Sequence, residues 1–275
     1  MVTTIPFELA GGGQPLIVFQ ATVNDTGPFK FILDTGAGST LITPALASRL
    51  GIATLKERTG HGIGGTASVA LATASSIAVG SLRKDNVDIG VTESVEQIGR
   101  AIGEPLDGGL GHTFFRDLAI TIDYNRKRLT FATADEVGTD VTNGTPFQLV
   151  HARKPLIQVD VWVNGSGPYP MALDTGASTT VLSPALIGLT ENVREIPGGV
   201  TGAAGRVPAK AARVRSLRVG DAIDSDADVL LLDALAPLNA ALGTELMGII
   251  GYSFLRHYRV TIDYPRGKVL LIPAR

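Results

Sequence analysis

The chain has 275 residues, of which 44% are hydrophobic and 18% charged, with a net charge of −2 and no cysteine. This apolar content excludes disorder as the dominant state, and the near-neutral charge argues against nucleic acid or an anionic membrane as the main partner. The missing cysteines exclude disulfide scaffolds, thiolate zinc sites, iron–sulfur clusters and a cysteine nucleophile. In chain order, Met1 to Ala10 has neither the basic nor the long apolar region of a signal peptide. Met1 in a leader-like position and the lack of cysteine lean toward a protein exported to the periplasm or beyond the cell after signal removal, with the cytoplasm left open. Pro15 to Val23 is an apolar run stopped by the turn signal Asn24-Asp25-Thr26-Gly27, and Phe29 to Leu33 is a second short strand. Thr43-Pro44, then Ala45 to Leu50, then Gly51, predicts a short helix with a cap, an early proline and a terminal glycine. Ser75 to Val79 and Val87 to Val91 read as strands, and Leu118 to Tyr124 with Arg128 to Phe131 as a closing hairpin around Asn125-Arg126. No apolar run reaches the roughly 18 residues of a membrane span. No convincing helical pattern of a dozen residues or so occurs either, which makes a parallel α/β sheet a poor fit.

The second half repeats the first. Comparing each residue with the one 140 positions later, half of the positions from 15 to 46 are identical. Leu33-Asp34-Thr35-Gly36-Ala37 returns as Leu173-Asp174-Thr175-Gly176-Ala177, and Thr121-Ile122-Asp123-Tyr124 returns as Thr261-Ile262-Asp263-Tyr264. The polar connector around Ala132 to Thr145 divides the copies, which predicts lobes at 1–138 and 139–275.

Asp34 and Asp174 each end an apolar strand, where a carboxylate is costly unless it is hydrogen-bonded or put to use. The threonine that follows can donate and accept, and the glycine allows a sharp turn with exposed N–H groups. Two such loops at equal places in two copies can meet across a two-fold-like interface. Carboxylates about 3 Å apart cannot both ionise and share one proton, as in the aspartic-protease dyad that is the standard example. One then takes a proton from water while the other donates to a carbonyl.

On these motifs the chain resembles pepsin-like and retropepsin-like aspartic proteases over nearly its whole length. The repeated Asp-Thr-Gly-Ala is followed in each half by a second element ending in glycine, Gly109-Leu110-Gly111 and Ile249-Ile250-Gly251. The short lobes and the alanine after each Asp-Thr-Gly are closer to retropepsins, so the chain looks like a retropepsin dimer joined into one polypeptide. The resemblance implies an all-β, two-lobed acid-protease fold with pseudo-two-fold symmetry and short helices, acting as an endopeptidase on peptide or protein substrates. It implies a catalytic pair Asp34 and Asp174, supported by Thr35, Gly36, Thr175 and Gly176, and no metal or cofactor. It also implies glycine-rich flaps over the cleft. Gly62, Ile63, Gly64 and Gly65 stand where the first tip should be, and Gly202 and Ala203 where the second should be; no tyrosine stands near either, unlike pepsin's single flap. As a pseudo-dimer within one chain, the protein would work as a monomer. The rival reading is a non-hydrolytic peptide-binding or assembly module that keeps the fold.

Other patterns have plainer expectations. Residues 60–65 also fit Gly-x-Gly-x-x-Gly, but the dinucleotide reading needs a strand before and a helix after, and Leu55 to Thr59 is polar while Thr66 to Ser76 is small and β-branched. Asp224 to Asp228 opens like a calcium loop but lacks its later glycine and glutamate. His61, His112, His151 and His257 show no ligand spacing. Asp123 and Asp263 read as hairpin-end residues, Arg116 and Arg256 as ties from a short helix to a carbonyl or acid, and Trp162 as a half-buried strand residue. Ile63, Ile249 and Leu110 are candidate cleft walls.

Overall fold

The computed structural model of the chain describes residues 2–13, 15–150, 155–202, 205–233 and 235–274. Each half builds an eight-stranded sheet with the same strand order. In the first half the order is Glu8–Ala10, Leu16–Val23, Thr26–Leu33, Gly108–Leu110, Thr40–Ile42, Leu82–Val91, Gly65–Val79 and Glu57–Gly62. In the second it is Gln148–Leu149, Ile157–Val163, Ser166–Leu173, Gly248–Ile250, Val181–Leu182, Ala222–Leu232, Ala209–Val219 and Glu191–Glu195. Each sheet curls until Leu16–Val23 also pairs with Gly65–Val79, and Ile157–Val163 with Ala209–Val219.

Local chemistry explains these elements. Asn24 and Asp25 both take left-handed backbone, φ 50 and 60, as do Asn164 and Gly165 at φ 51 and 80. Two consecutive left-handed residues make the hairpin turn whose twist matches its strands, and Asn, Asp and Gly adopt it at least cost. The strand Ile157–Val163 alternates strictly, with its odd-numbered residues buried, so one face goes to the core. The helix Pro44–Arg49 is capped by Thr43, whose hydroxyl accepts from the Leu46 N–H at 3.1 Å.

A third sheet joins the halves. Its order is Val2–Pro6, Arg128–Ala132, Ala119–Asp123, Tyr258–Asp263, Lys268–Pro273 and Thr145–Pro146. The predicted closing hairpin therefore supplies two strands of a shared six-stranded platform. At its centre the antiparallel register sets Thr121 opposite Thr261, the two copies of one position, with their hydroxyls 2.9 Å apart. A residue paired with its own repeat marks a local two-fold axis. Asp123 and Asp263 do end hairpins: each accepts the N–H and the guanidinium of the arginine three residues on, Arg126 and Arg266. The result is a two-lobed, mostly antiparallel β fold with pseudo-two-fold symmetry. Among the described residues the longest helix, Ser94–Ile102, has nine residues.

Candidate functional site

Each Asp-bearing strand lies parallel to the short strand that carries the downstream motif. Leu33 pairs with Leu110 and Leu173 with Ile250. The Asp34 N–H donates to the Leu110 carbonyl at 3.0 Å, and that of Asp174 to Ile250 at 2.9 Å. The chain then crosses the Asp loop, and the N–H groups of His112 and Tyr252 donate to the carbonyls of Ala37 and Ala177. A Cβ at Gly111 would sit 2.2 Å from the Ser39 carbonyl oxygen, and one at Gly251 would sit 2.6 Å from that of Ala177. Both glycines are demanded by this crossing. Thr40 and Thr180 clamp it: their hydroxyls accept the Gly111 and Gly251 N–H groups, and their own N–H groups donate to Thr113 and Ser253.

The two Asp loops are tied to each other through their threonines. The Thr35 N–H donates to Thr175 Oγ1 at 3.1 Å and the Thr175 N–H to Thr35 Oγ1 at 2.9 Å. The hydroxyls donate onward to the opposite strand ends, Thr35 to the Leu173 carbonyl and Thr175 to that of Leu33. Both threonines are buried, so each bond satisfies a group that water cannot reach. Next to them, the Gly36 and Gly176 N–H groups both donate to Asp174 Oδ1, at 3.1 and 2.7 Å. A Cβ at Gly36 would lie 2.4 Å from Asp174 Oδ2. One at Gly176 would lie 2.8 Å from Asp34 Oδ1 and 3.2 Å from Asp174 Oδ1. That single point touches both carboxylates, so the structure brings Asp34 and Asp174 together.

Above them, the hairpin of Glu57–Gly62 with Gly65–Val79 meets the hairpin of Val200–Gly202 with Gly205–Val207. A Cβ at Gly64 would sit 2.6 Å from the Gly205 carbonyl oxygen, and one at Gly202 would sit 2.4 Å from that of Ile63. The tips therefore touch backbone to backbone. Ala203 lies outside the described residues, as does His151. Between tips and carboxylates is a cavity of about 240 Å³, floored by Asp34, Asp174, Gly36 and Gly176 and roofed by Ile63 and Gly202. Ile63 and Ile249 line it as expected, but Leu110 is fully buried behind the Asp34 loop and does not.

Several expectations need correction or filling in. A strand, Glu57–Gly62, does lead into the glycine-rich segment, but a strand and not a helix follows it. The side chains of Arg116 and Arg256 make no hydrogen bond to a carbonyl or acid among the described residues; their N–H groups cap the short helices by donating to His112 and Tyr252. His61 is exposed. Trp162 is half-buried, with the Arg218 guanidinium over its ring at 3.9 Å. The sequence reading missed the helices Ser94–Ile102 and Leu235–Leu242, which bring Ile98, Ile102 and Leu238 to the cavity. The 3–4 spacing of Val95, Ile98 and Ile102 was the available signal. It also missed Tyr264, whose buried phenol is held well above its usual range, first by burial and then by the charges of Asp174 and Asp34. The Tyr264 ring packs on His112, which burial and Arg116 push below the usual histidine value.

Among the described residues no three His, Asp or Glu side chains gather into a metal-binding group, and no helix is long and apolar enough to cross a membrane. A family model described as aspartyl protease matches the chain twice, at residues 19–114 and 159–254, together more than half of its length. No curated protein matches it. The two matched segments carry the two Asp-Thr-Gly loops in the same register, and the chain belongs to the aspartyl protease family, with two retropepsin-like units in one polypeptide.

Proposed function

We propose that the protein is an aspartic endopeptidase whose Asp34 and Asp174 form one catalytic dyad. The observation that carries this reading is the cross-lobe threonine tie with the glycine cradle, which leaves both carboxylates bordering one spot on the floor of a mostly apolar cavity. A water at that spot loses its proton to the ionised carboxylate as its oxygen attacks the scissile carbonyl carbon. The protonated partner gives its proton to the carbonyl oxygen, forming a tetrahedral diol. Collapse breaks the C–N bond, and the leaving amine takes a proton from the dyad. The proton inventory belongs to the pair, so rate against pH traces a bell with two shared apparent values.

The two touching hairpins act as flaps on this reading. Gly62, Gly64, Gly65 and Gly202 keep their backbones bare, so an extended peptide can pair with them by strand addition. The lobes are residues 1–138 and 139–275, each giving one Asp, and the molecule is a monomer that serves as its own pseudo-dimer. The test is digestion of a peptide library read by mass spectrometry. Internal cleavage by the wild type, lost in both Asp34→Asn and Asp174→Asn, is the expected result. Wild-type binding without product would support the peptide-binding module instead, and turnover retained in either variant would remove the dyad.

A further inference from the structure

The cavity over the dyad is not shared equally between the lobes. From the second lobe it is lined by Leu156, Ala172, Val181, Leu230, Leu232 and Ile249. The corresponding first-lobe positions are Leu16, Ile32, Leu41, Gly90, Thr92 and Gly109, and of these Leu16 alone reaches it. Two complementary exchanges of bulk accompany the difference. Ile32 is paired in register with Gly109, and a Cβ on that glycine would already lie 3.1 Å from Ile32 Cγ1. In the second lobe the same register pairs Ala172 with Ile249. Likewise a Cβ on Gly90 would lie 2.6 Å from Val69 Cγ1, whereas the second lobe has Ala209 and Leu230 at these places.

The first exchange roughly keeps the side-chain volume of its lobe while moving it from one strand to another, which a close-packed interior tolerates far better than a net change. The consequence falls on the cleft. In the first lobe Ile32 packs with Leu16, Val18, Val95 and Leu106 and fills the space beneath its helix. In the second lobe the small Ala172 leaves its place open, with Ile249 and Leu230 as walls. The roof is unequal as well. Ile63 crosses from the first-lobe hairpin to pack against the second-lobe apolar cluster, and its counterpart in the repeat is Ala203.

We propose that the cleft is directional: the second-lobe side takes one bulky aliphatic or aromatic side chain of the substrate, and the first-lobe side takes a small one. This rests on the peptidase reading above. A two-fold symmetric site would accept a peptide in either direction, whereas unequal pockets select one direction and put the bulky residue always on the same side of the cut bond.

The wild type and two swap variants are compared on one peptide library by mass spectrometry of the product ends, with thermal melting to show that each is folded. Wild-type products should carry a bulky apolar residue on one side of the cut only. Ala172→Ile combined with Ile249→Gly imposes the first-lobe arrangement, and its kcat/KM on peptides with that bulky residue should fall about ten-fold or more relative to peptides with alanine there. Ile32→Ala combined with Gly109→Ile should gain cuts with a bulky residue on the opposite side. Ala172→Val alone is the milder replacement should the first swap not fold, with the same direction of change. Equal bulk on both sides of wild-type cuts, or product ends unchanged in the folded variants, would overturn the proposal. A peptide array binding the wild type separates the two readings. No cutting but binding that needs one bulky residue at a fixed place removes the peptidase reading and keeps the directional cleft; neither cutting nor one-sided binding removes both.

Discussion

The two lobes differ in a patterned way. Where a residue meets its own copy, the lobes are the same: Thr35 bonds to Thr175 in both directions, and Thr121 to Thr261. Next to a two-fold axis a change in one copy is felt by the other, so both must satisfy the same contact. Away from the axis the lobes diverge. Pro44–Arg49 forms an α-helix ended by Gly51 at φ 63, while Pro184–Leu189 tightens into a 3-10 helix. The second segment carries Gly188 inside it and Glu191 where the first has Gly51, so it has a poorer helix interior and no left-handed stop. Some cleft-facing positions diverge as well, through exchanges that leave the axis untouched. Symmetry is thus strictest where the two copies touch, and asymmetry is free to develop away from the axis, the cavity included.

Four sets of substitutions would break or sharpen this comparison. The largest effect is expected from the dyad. Asp34→Asn and Asp174→Asn should each lower kcat about a thousand-fold, measured on one cleaved peptide; strongly unequal losses would mean that the two lobes do not contribute equivalently. Next come the cradle glycines. Gly36→Ala pushes a methyl into the Asp174 carboxylate and Gly176→Ala pushes one toward Asp34. Displacing a catalytic group by an ångström costs about a hundred-fold in rate, and Gly36→Ala, with the closer approach, should lose more.

The third pair concerns stability. Thr35→Ala and Thr175→Ala each leave buried partners across the lobe boundary unsatisfied. About 2–4 kcal/mol of unfolding free energy should be lost in each, by chemical denaturation, because every orphaned buried group bears its own desolvation cost. Serine at either position should recover most of it. The smallest effect is a pH dependence. His112 occupies the place that Tyr252 holds in the second lobe, and each ring packs on the buried tyrosine of the opposite lobe. Since burial and Arg116 lower the folded His112 value from 6.5, the unfolded chain takes up the proton first on acidification. This contribution to stability is complete above about 6.5 and is lost as pH falls below it. His112→Tyr makes the lobes alike and should flatten the fall in melting temperature from pH 7 to pH 5 relative to the wild type.

Much of the architecture was legible because the chain states it twice. Strands from short apolar runs, turns from Asn24 and Asp25, and the capped helix after Thr43 are local signals that copy comparison reinforced. The closeness of the two aspartates was readable only as an inference from the doubled motif, and the role of Thr40 and Thr180 was not readable. A threonine's repetition does not say which backbone amide it will accept. The helices that line the cavity were too short for their periodicity to stand out. Leu110 was misplaced as a wall because the strand that carries it is buried on both faces, and nothing in Gly-Leu-Gly tells which face looks to the cleft.

The amino-acid sequence by itself determined the repeat, the strand-rich lobes and the paired Asp-Thr-Gly loops, since these follow from short-range patterning and from identity between copies. The tertiary structure alone decided that the loops interlock through Thr35 and Thr175, and that Ala172 opens a space which Ile32 fills. Both depend on neighbours far away along the chain, and close packing makes one methylene of bulk matter only once those neighbours are in place.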